Sequence, residues 1–453
     1  MEEYVAAIDL GTTKIVALVG EKTESGRFQI VAYSEAPSSG VSRGEVQNIT
    51  QVENVVKPLV EEVRRQSGIN FTEVYVGIAG QHIKCVENRA DVIRNNSYDV
   101  EISEAEVLKL EKSIHEIRMD PGEEILHVIP QTYNVDDKIG VTDPVGMLGK
   151  RLEANYHVVI GKTISAEHTQ RCIRKVGLEL KRLVLEPIAS ASAVLTADEK
   201  EAGVAMVDIG GGTTDIIVYY DNVVRHTAVI PFGGNAITND IKEGCGVLLR
   251  QAEQMKVQFG SCFGELASEN KIITIPGISG REPREISFRT LAKIIEARMD
   301  EIIGAVIYEI ERSGCLNKLN AGIVFTGGGS LIDHLSQFVK YKTGLDVRIG
   351  RPLYLTTDSG QELQRPTFST AIGLIMKGFE YDKQEEKNNK VKEEESANAR
   401  KVEMDVTEEF VEKGKKEKKR KKDEESTGSK NPLQVIKDIA YSIFDNNNED
   451  NKV

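Results

Sequence analysis

Two stretches of this chain share one pattern, and that pair constrains the fold more than any other feature. Residues 5–20 read VAAIDLGTTKIVALVG and residues 204–220 read VAMVDIGGGTTDIIVYY. Each stretch is an apolar run, an Asp, a Gly/Thr turn and a second apolar run, which is typical of a β-hairpin with buried strands. Because the pattern occurs twice, we predict two related α/β halves.

The turns of these hairpins also predict phosphate binding. Glycine lets the backbone approach a ligand closely and present consecutive N–H groups to phosphate oxygens. The threonine hydroxyls add donors, and a third glycine run in VFTGGGS (324–330) follows another apolar strand and suits a flat base. The predicted nucleotide site therefore comprises Gly11, Thr12, Thr13, Lys14, Gly210, Gly211, Gly212, Thr213, Thr214, Gly327, Gly328, Gly329 and Ser330.

Asp9 and Asp208 precede the two turns and are predicted to hold the water shell of a Mg²⁺ ion at the strand ends. A single Gly/Thr turn is most often only a hairpin turn, but three glycine motifs that each follow an apolar strand favour nucleotide binding. The chain has no GxxxxGK[ST] motif and no GxGxxG between a strand and a helix. Both the P-loop and the dinucleotide-binding fold are thereby excluded.

Composition sets broader limits. The chain has 453 residues, 40% of them hydrophobic, which is enough for more than one core. A net charge of −13 argues against nucleic acid as a partner. The five cysteines show no metal spacing, so we expect reduced thiols. We expect neither a signal peptide nor a membrane span, and we expect the isolated His115, His127 and His168 to be surface or core residues.

IDLGTTK, VDIGGGTTD and FTGGGS, in this order, resemble the two phosphate motifs and the adenosine motif of the actin-like ATPase superfamily. LEPIASASAV (185–194) and RPTFSTAIGLIM (365–376) resemble its two connecting helices. The resemblance implies that Glu253 and Lys256 contact the ribose and base. It also makes Glu186 a candidate for orienting the attacking water. The equal alternative is a structural Glu at a helix N-terminus.

The segment HVIPQTYNVDDKIGVTDPVGMLGKRLEANYHVV (127–159) resembles the inserted subdomain of the FtsA family of bacterial cell-division proteins. The implied fold is an actin-like, two-lobed α/β ATPase with an FtsA-type 1C insert, followed by a disordered linker and an amphipathic helix. The implied subdomains are 1A at 1–84 and 162–203, 1C at 85–161, 2A at 204–244 and 311–350, 2B at 245–310, and helices returning to 1A at 351–380.

The family resemblance further implies that the chain binds ATP with Mg²⁺, polymerises, and anchors FtsZ to the cytoplasmic face of the inner membrane at the septum. Turnover is expected to be slow, with ATP mainly gating assembly. The FtsZ C-terminal tail would dock on 245–310, and later divisome proteins on 85–161. Arg281, Arg284 and Arg289 would suit an acidic tail, although each is equally well explained as a solvated loop residue.

The end of the chain changes character. Residues 381–430 are highly charged and poor in apolar side chains, which predicts a disordered linker. Within it, KGKKEKKRKK (413–422) forms a basic island. NPLQVIKDIAYSIFD (431–445) then starts with Asn and Pro, which favour a helix start, and a polar end follows at 446–453. Its large apolar residues fall on one helix face: Leu433, Ile436, Ile439, Ile443 and Phe444.

Apolar burial of this helix roughly balances the entropy of ordering it, so a second attraction is needed to hold it on a surface. An anionic membrane surface would supply that attraction through the basic island. We therefore predict that the terminal helix binds a membrane, rather than the groove of a partner protein or the body of its own chain. The alternative function is a soluble actin-like kinase or chaperone relative whose tail binds a protein. The residues of the basic island that would contact the anionic membrane are Lys415, Lys416, Lys418, Lys419, Arg420, Lys421 and Lys422.

Overall fold

The computed structural model describes residues 4–94, 100–268, 270–277, 282–357, 360–391 and 393. The predicted basic island, terminal helix and polar end lie outside these residues, as does Arg281. The chain divides into two units between Glu386 and Lys387, and every sheet among the described residues belongs to the first unit. Within the described residues, no helix combines the length and the apolar character needed to cross a bilayer.

Strands and helices alternate along the described chain. The strands are β1 (Tyr4–Leu10), β2 (Lys14–Lys22), β3 (Phe28–Pro37), β4 (Val41–Ser42), β5 (Glu45–Val46), β6 (Glu73–Ile78), β7 (Lys84–Ile93), β8 (Glu123–Val135), β9 (Lys138–Val141), β10 (Arg151–Lys162), β11 (Glu179–Leu185), β12 (Val204–Ile209), β13 (Thr214–Tyr220), β14 (Val223–Ile230), β15 (Ile272–Ile275), β16 (Arg284–Ser287), β17 (Ile323–Thr326) and β18 (Val347–Ile349). The helices are α1 (Ile49–Ser67), α2 (Glu104–Ile114), α3 (Thr163–Lys175), α4 (Glu186–Val194), α5 (Ala197–Ala202), α6 (Gly234–Cys245), α7 (Leu249–Phe259), α8 (Phe288–Arg312), α9 (Leu335–Thr343) and α10 (369–391).

The first predicted hairpin opens a five-stranded sheet with the order β11-β6-β1-β2-β3. β1, β2 and β3 are antiparallel neighbours, whereas β6 pairs parallel to β1 and β11 parallel to β6. Successive residues of β1 face opposite sides of the sheet. Ile8 packs in a core with α1 and α3, whereas Ala7 packs in a core with α4 and α10.

The second hairpin opens a sheet built on the same plan, with the order β14-β13-β12-β17-β18. Its first three strands are antiparallel neighbours, and β17 and β18 continue in parallel. Val207 packs in a core with α6, α7, α8 and α9, whereas Met206 packs in the same core as Ala7. Helices α4 and α10 therefore share one core with both sheets, and the predicted pair of related halves is confirmed.

A separate four-stranded sheet, with the order β7-β10-β8-β9, is inserted between β6 and α3. Tyr156 and Leu152 on β10 are fully buried in its core, together with Ile114 of α2. This inserted sheet also contacts the edge strand β14 of the second sheet. The amide Nε2 of Gln131 donates to the Val224 carbonyl at 2.9 Å, which is one of the bonds that hold the two sheets together.

The start of the predicted linker is an error of the sequence analysis. Helix α10 continues to residue 391, whereas the linker was expected from Tyr381. Tyr381 stacks on the Tyr75 ring at a centroid distance of 6.4 Å, and Asp382 pairs with Lys181 at 2.6 Å. Adding residues to a helix that is already formed costs little, so these contacts extend it into a polar segment.

Candidate nucleotide-binding site

The turns of the two hairpins face one another across a cleft of about 410 Å³. This volume is in the range of small-molecule and cofactor sites. Most of the predicted residues line the cleft, although they come from distant parts of the chain. They are Asp9, Gly11, Thr12, Thr13, Lys14, Glu186, Asp208, Gly210, Gly211, Gly212, Thr213, Glu253, Lys256, Gly327, Gly328 and Gly329.

The glycines of the second turn are needed because the two turns approach closely. A β-carbon on Gly212 would lie 2.5 Å from the Thr12 hydroxyl oxygen, and one on Gly211 would collide with the Thr13 hydroxyl. Gly327 has a φ of 79°, and a β-carbon there would collide with the Asp208 carboxylate. Side chains at these positions would therefore force the walls of the cleft apart.

Both connecting helices hold the carboxylate of Asp208. Ser190 of α4 donates to Asp208 Oδ2 at 2.7 Å, and Thr370 of α10 donates to the same oxygen at 3.2 Å. Burial raises the pKa of Asp208, and these two hydrogen bonds oppose that shift. The helices predicted as connectors thus also orient a carboxylate of the site.

Besides Glu253, which pairs with Lys256, four carboxyl groups with raised pKa values are collected in the cleft. Burial raises the pKa of Asp9 to about 7, with Lys14 opposing and Asp208 reinforcing the shift. Burial also raises the pKa of Asp215 and of Glu186, and neighbouring carboxylates raise them further. Asp215 Oδ1 is buried and has no hydrogen-bond partner among the described residues. The cleft is therefore short of positive charge.

A divalent cation would supply the positive charge that the cleft lacks. Within the described part of the chain, no three His, Cys, Asp or Glu side chains are close enough to bind a metal ion directly. Mg²⁺ retains several of its water ligands in proteins and needs only one or two carboxylates. The residues present therefore fit an ion held through water, with Asp9 and Asp208 as predicted and Asp215 as a further acceptor.

Two predicted cations of the site already have partners. Lys14 Nζ pairs with Glu35 at 2.7 Å and lies 3.5 Å from the centre of the Phe368 ring. Lys256 Nζ pairs with Glu253 at 2.8 Å and donates to the Gly234 carbonyl at 3.0 Å. Lys14 must leave Glu35 to contact a phosphate, whereas Lys256 and Glu253 form a pre-organised pair on α7.

Some predictions fall beside the site. Thr214 and Ser330 are not lining residues: Thr214 Oγ1 donates to the Phe232 carbonyl at 2.9 Å, and Ser330 Oγ donates to the Gly327 carbonyl at 2.7 Å. Glu186 occupies both positions considered for it, since it is the first residue of α4 and lines the cleft. His127 is a core residue that accepts from the Leu185 N–H at 2.9 Å.

Several residues that line the cleft were not predicted from the sequence. Asp215 stands in the quoted motif VDIGGGTTD, and its place at the end of the second turn is a signal that was available. Asn235 and Thr370 begin helices far along the chain, and only the tertiary structure brings them to the cleft. Among the predicted partner residues, Arg284 lies outside the cleft and donates to the Cys245 carbonyl at 2.9 Å.

Comparison with known proteins identifies relatives over most of the chain. A family model described as "Cell division protein FtsA" matches residues 205–373, and "SHS2 domain inserted in FTSA" matches residues 80–160. The chain is 37% identical to the cell division protein FtsA of Neisseria meningitidis, over 83% of this chain and 90% of that protein. It is 36% identical to FtsA of Pseudomonas aeruginosa, with the same shares covered.

A solved structure shows the same fold at much lower sequence identity. The PilM-PilN type IV pilus biogenesis complex aligns with a TM-score of 0.58 and 15% identity. The alignment covers 83% of this chain and 98% of the matched chain of that complex. A likeness at this identity speaks for the fold alone.

Proposed function

Because this chain belongs to the FtsA family of cell-division proteins, we propose that it binds ATP with Mg²⁺, polymerises and anchors FtsZ to the cytoplasmic face of the inner membrane at the septum. Family membership also confirms the predicted actin-like fold with an FtsA-type insert. It favours a role in cell division over the alternative of a kinase or chaperone relative.

The observation that carries the proposal is the cleft itself, in which two equivalent Gly/Thr turns face each other above buried carboxylates. Backbone N–H groups of the turns around Gly11 and Gly211 would bind the phosphates from both sides. Asp9, Asp208 and Asp215 would hold Mg²⁺ through its water ligands. The bound ion would supply positive charge that neutralises the phosphates and the buried carboxylates.

Hydrolysis in this proposal is slow. Glu186, which lines the cleft at the start of α4, would orient the attacking water. Lys14 lines the cleft, but its ammonium is already paired with Glu35. ATP would therefore mainly control assembly.

The proposed partner surfaces lie away from the cleft. Residues 245–310 would receive the acidic tail of FtsZ, and Arg284, an exposed residue of β16, and Arg289 would contribute positive charge. Residues 85–161 would contact later divisome proteins. The terminal segment 431–445 and the basic island 413–422 would bind an anionic membrane, each weak alone and strengthened by assembly into a polymer.

Sedimentation with anionic liposomes tests the proposal. In ATP and Mg²⁺, the full-length chain should pellet with the liposomes and carry a fluorescent FtsZ tail peptide, with phosphate release well below ten per second. A chain ending at residue 430 should stay in the supernatant. Asp208→Asn, which weakens the metal site, should pellet less because fewer chains assemble.

Equal pelleting of the full-length and shortened chains would contradict the membrane anchor. Equal pelleting with and without ATP would contradict control by nucleotide. Phosphate release of tens per second would contradict slow turnover.

A further inference from the structure

A second cavity, of about 570 Å³, lies at the other end of the connecting helices. Helix α4 contributes Glu186 to the nucleotide cleft at its start, and Leu195, just beyond its end, lines this second cavity. Helix α10 likewise contributes Thr370 to the cleft and Phe379 to the cavity. Both helices therefore connect the two sites directly.

One wall of this cavity is aromatic. The buried rings of Phe28 and Phe379 lie with their centroids 5.8 Å apart, and Tyr354 completes the wall. These residues come from β3, from α10 and from the segment that follows β18. The cavity is therefore formed by parts of the chain that belong to both halves of the fold.

Three lysines line the same cavity without carboxylate partners. Within the described part of the chain, no Asp or Glu oxygen lies within 4.0 Å of the ammonium of Lys22, Lys200 or Lys383. Glu380 also lines the cavity, but its carboxylate pairs with Lys377 at 2.7 Å. Exposed lysines are ordinary on a protein surface, and Lys22 and Lys383 are exposed. The half-buried Lys200 is the informative member of the three.

The ammonium of Lys200 lies 5.2 Å from the centre of the Tyr219 ring. Burial lowers the pKa of Lys200 and Lys377 lowers it further, whereas Glu380 and Glu199 partly oppose the shift. The carbonyls at the end of α4 do not need this lysine as a cap. The Ala193 carbonyl accepts from the Leu353 N–H at 2.9 Å, and the Val194 carbonyl accepts from Arg348 at 3.0 Å. The Leu195 carbonyl accepts from the Tyr354 hydroxyl at 3.2 Å.

We propose that this cavity is a second ligand site, which takes a small amphipathic anion. A flat apolar body would lie against Phe28, Tyr354 and Phe379, and a phosphate, sulfonate or carboxylate would lie among Lys22, Lys200 and Lys383. An anion offsets the unfavourable burial of the Lys200 ammonium and the repulsion that Lys377 exerts on it. Lysine suits this role because it binds an anion as a point charge and needs no fixed geometry.

Binding at this site is coupled to the nucleotide cleft. The two helices cross so closely that a β-carbon on Gly373 would collide with the Ala189 carbonyl, so neither helix shifts alone. Both also hold Asp208 in the cleft. This coupling rests on the proposed nucleotide site, whereas the anion site itself does not.

The probe for the site is 1-naphthyl phosphate, with neutral 1-naphthol as its uncharged analogue. Titration of the full-length, nucleotide-free chain by calorimetry should show tighter binding of the phosphate. Lys200→Met should weaken it by about tenfold, the usual effect of removing a charged hydrogen-bond donor. Lys318→Met is the matched control, since Lys318 lies 4.8 Å from the Tyr220 ring but does not line the cavity.

Equal binding of the phosphate by Lys200→Met and Lys318→Met would overturn the anion site, as would 1-naphthol binding as tightly as the phosphate. A saturating ATP analogue must not displace the probe completely, because displacement would place the probe in the nucleotide cleft. The analogue should instead change the probe's affinity several-fold, and the probe should change the analogue's affinity by the same factor. An unchanged affinity would overturn the coupling, and an analogue that does not bind at all would contradict the proposed function instead.

Discussion

Asp9 shows at the scale of single residues how the demands of binding and stability conflict in this chain. Its carboxyl group is buried near Asp208, Asp215 and Glu186, and the pKa of each of the four is raised. Without a bound cation, ionising them costs free energy because water is largely excluded. The folded chain therefore carries a destabilising feature that the proposed ligand would relieve.

The pH dependence of stability tests this conflict. The pKa of Asp9 is about 7 in the folded chain, against an ordinary value of 3.8 in the unfolded chain. Between these values the folded state binds more protons, so this group makes the free energy of unfolding fall as pH rises. Asp9→Asn should remove up to about 1.4 kcal/mol per pH unit of that fall. Urea denaturation of nucleotide-free protein between pH 5 and 7 measures it.

Two histidines make the free energy of unfolding rise with pH. Their effect cancels when the slope of the variant is compared with that of the wild-type chain. Burial lowers the pKa of His127 to about 3 and that of His157 to about 4, so their contribution to stability rises with pH. Both are present in the wild-type chain and in the variant. The control is Asp137→Asn, which changes an exposed carboxylate in a turn and should leave the wild-type slope unchanged. If Asp9→Asn left the slope of unfolding free energy against pH at its wild-type value, the fall could not be assigned to Asp9.

At the scale of elements, helices α4 and α10 organise the molecule. They share one core with both sheets, hold Asp208 and connect the nucleotide cleft to the second cavity. The resemblance of LEPIASASAV and RPTFSTAIGLIM to the connecting helices of the actin-like superfamily predicted both helices. It did not predict the end of α10, because Tyr381 and Asp382 are held by Tyr75 and Lys181 from distant strands.

Two glycine-to-alanine changes test the crossing of these helices. Gly373→Ala in α10 should destabilise the fold by about 1–3 kcal/mol, because its β-carbon meets the fixed carbonyl of Ala189. Gly304→Ala in the exposed part of α8 is the matched control, since no atom of the described residues beyond the local helix backbone lies within 4 Å of the added β-carbon. It should stabilise the fold by about 0.5–1 kcal/mol. Thermal or urea unfolding measures both, and a neutral Gly373→Ala would refute the close crossing.

At the scale of the whole molecule, strand β14 joins the inserted sheet to the nucleotide cleft. Thr227 of β14 is buried, and its hydroxyl lies 2.9 Å from His157 Nε2 and 2.8 Å from Cys85 Sγ, both in the inserted sheet. The end of the same strand pairs with Thr214 in the second turn of the cleft. A change in the insert therefore has a direct route to the cleft.

Removing the hydroxyl of Thr227 tests this junction. Thr227→Val should lower the free energy of unfolding by about 1–3 kcal/mol. The cost arises because His157 Nδ1 already has no partner among the described residues, so the buried ring would then have none. Adding His157→Phe should restore part of the loss, since an unpaired polar group is worse than an apolar pair. Equal loss in the single and double variants, measured by urea unfolding, would contradict this account.

The sequence by itself determined the parts of this protein that depend on local pattern. Apolar runs around Gly/Thr turns were enough to predict the two hairpins, the related halves and most of the cleft, because strand alternation and turn chemistry involve neighbouring residues. Only the tertiary structure decided which polar groups meet. Asp215 joins the carboxylates, Lys14 pairs with Glu35, and Thr214 bonds to the Phe232 carbonyl. The lysine-lined cavity and the junction at Thr227 join segments far apart in the chain, and the positions of all these contacts follow from how the sheets and helices pack.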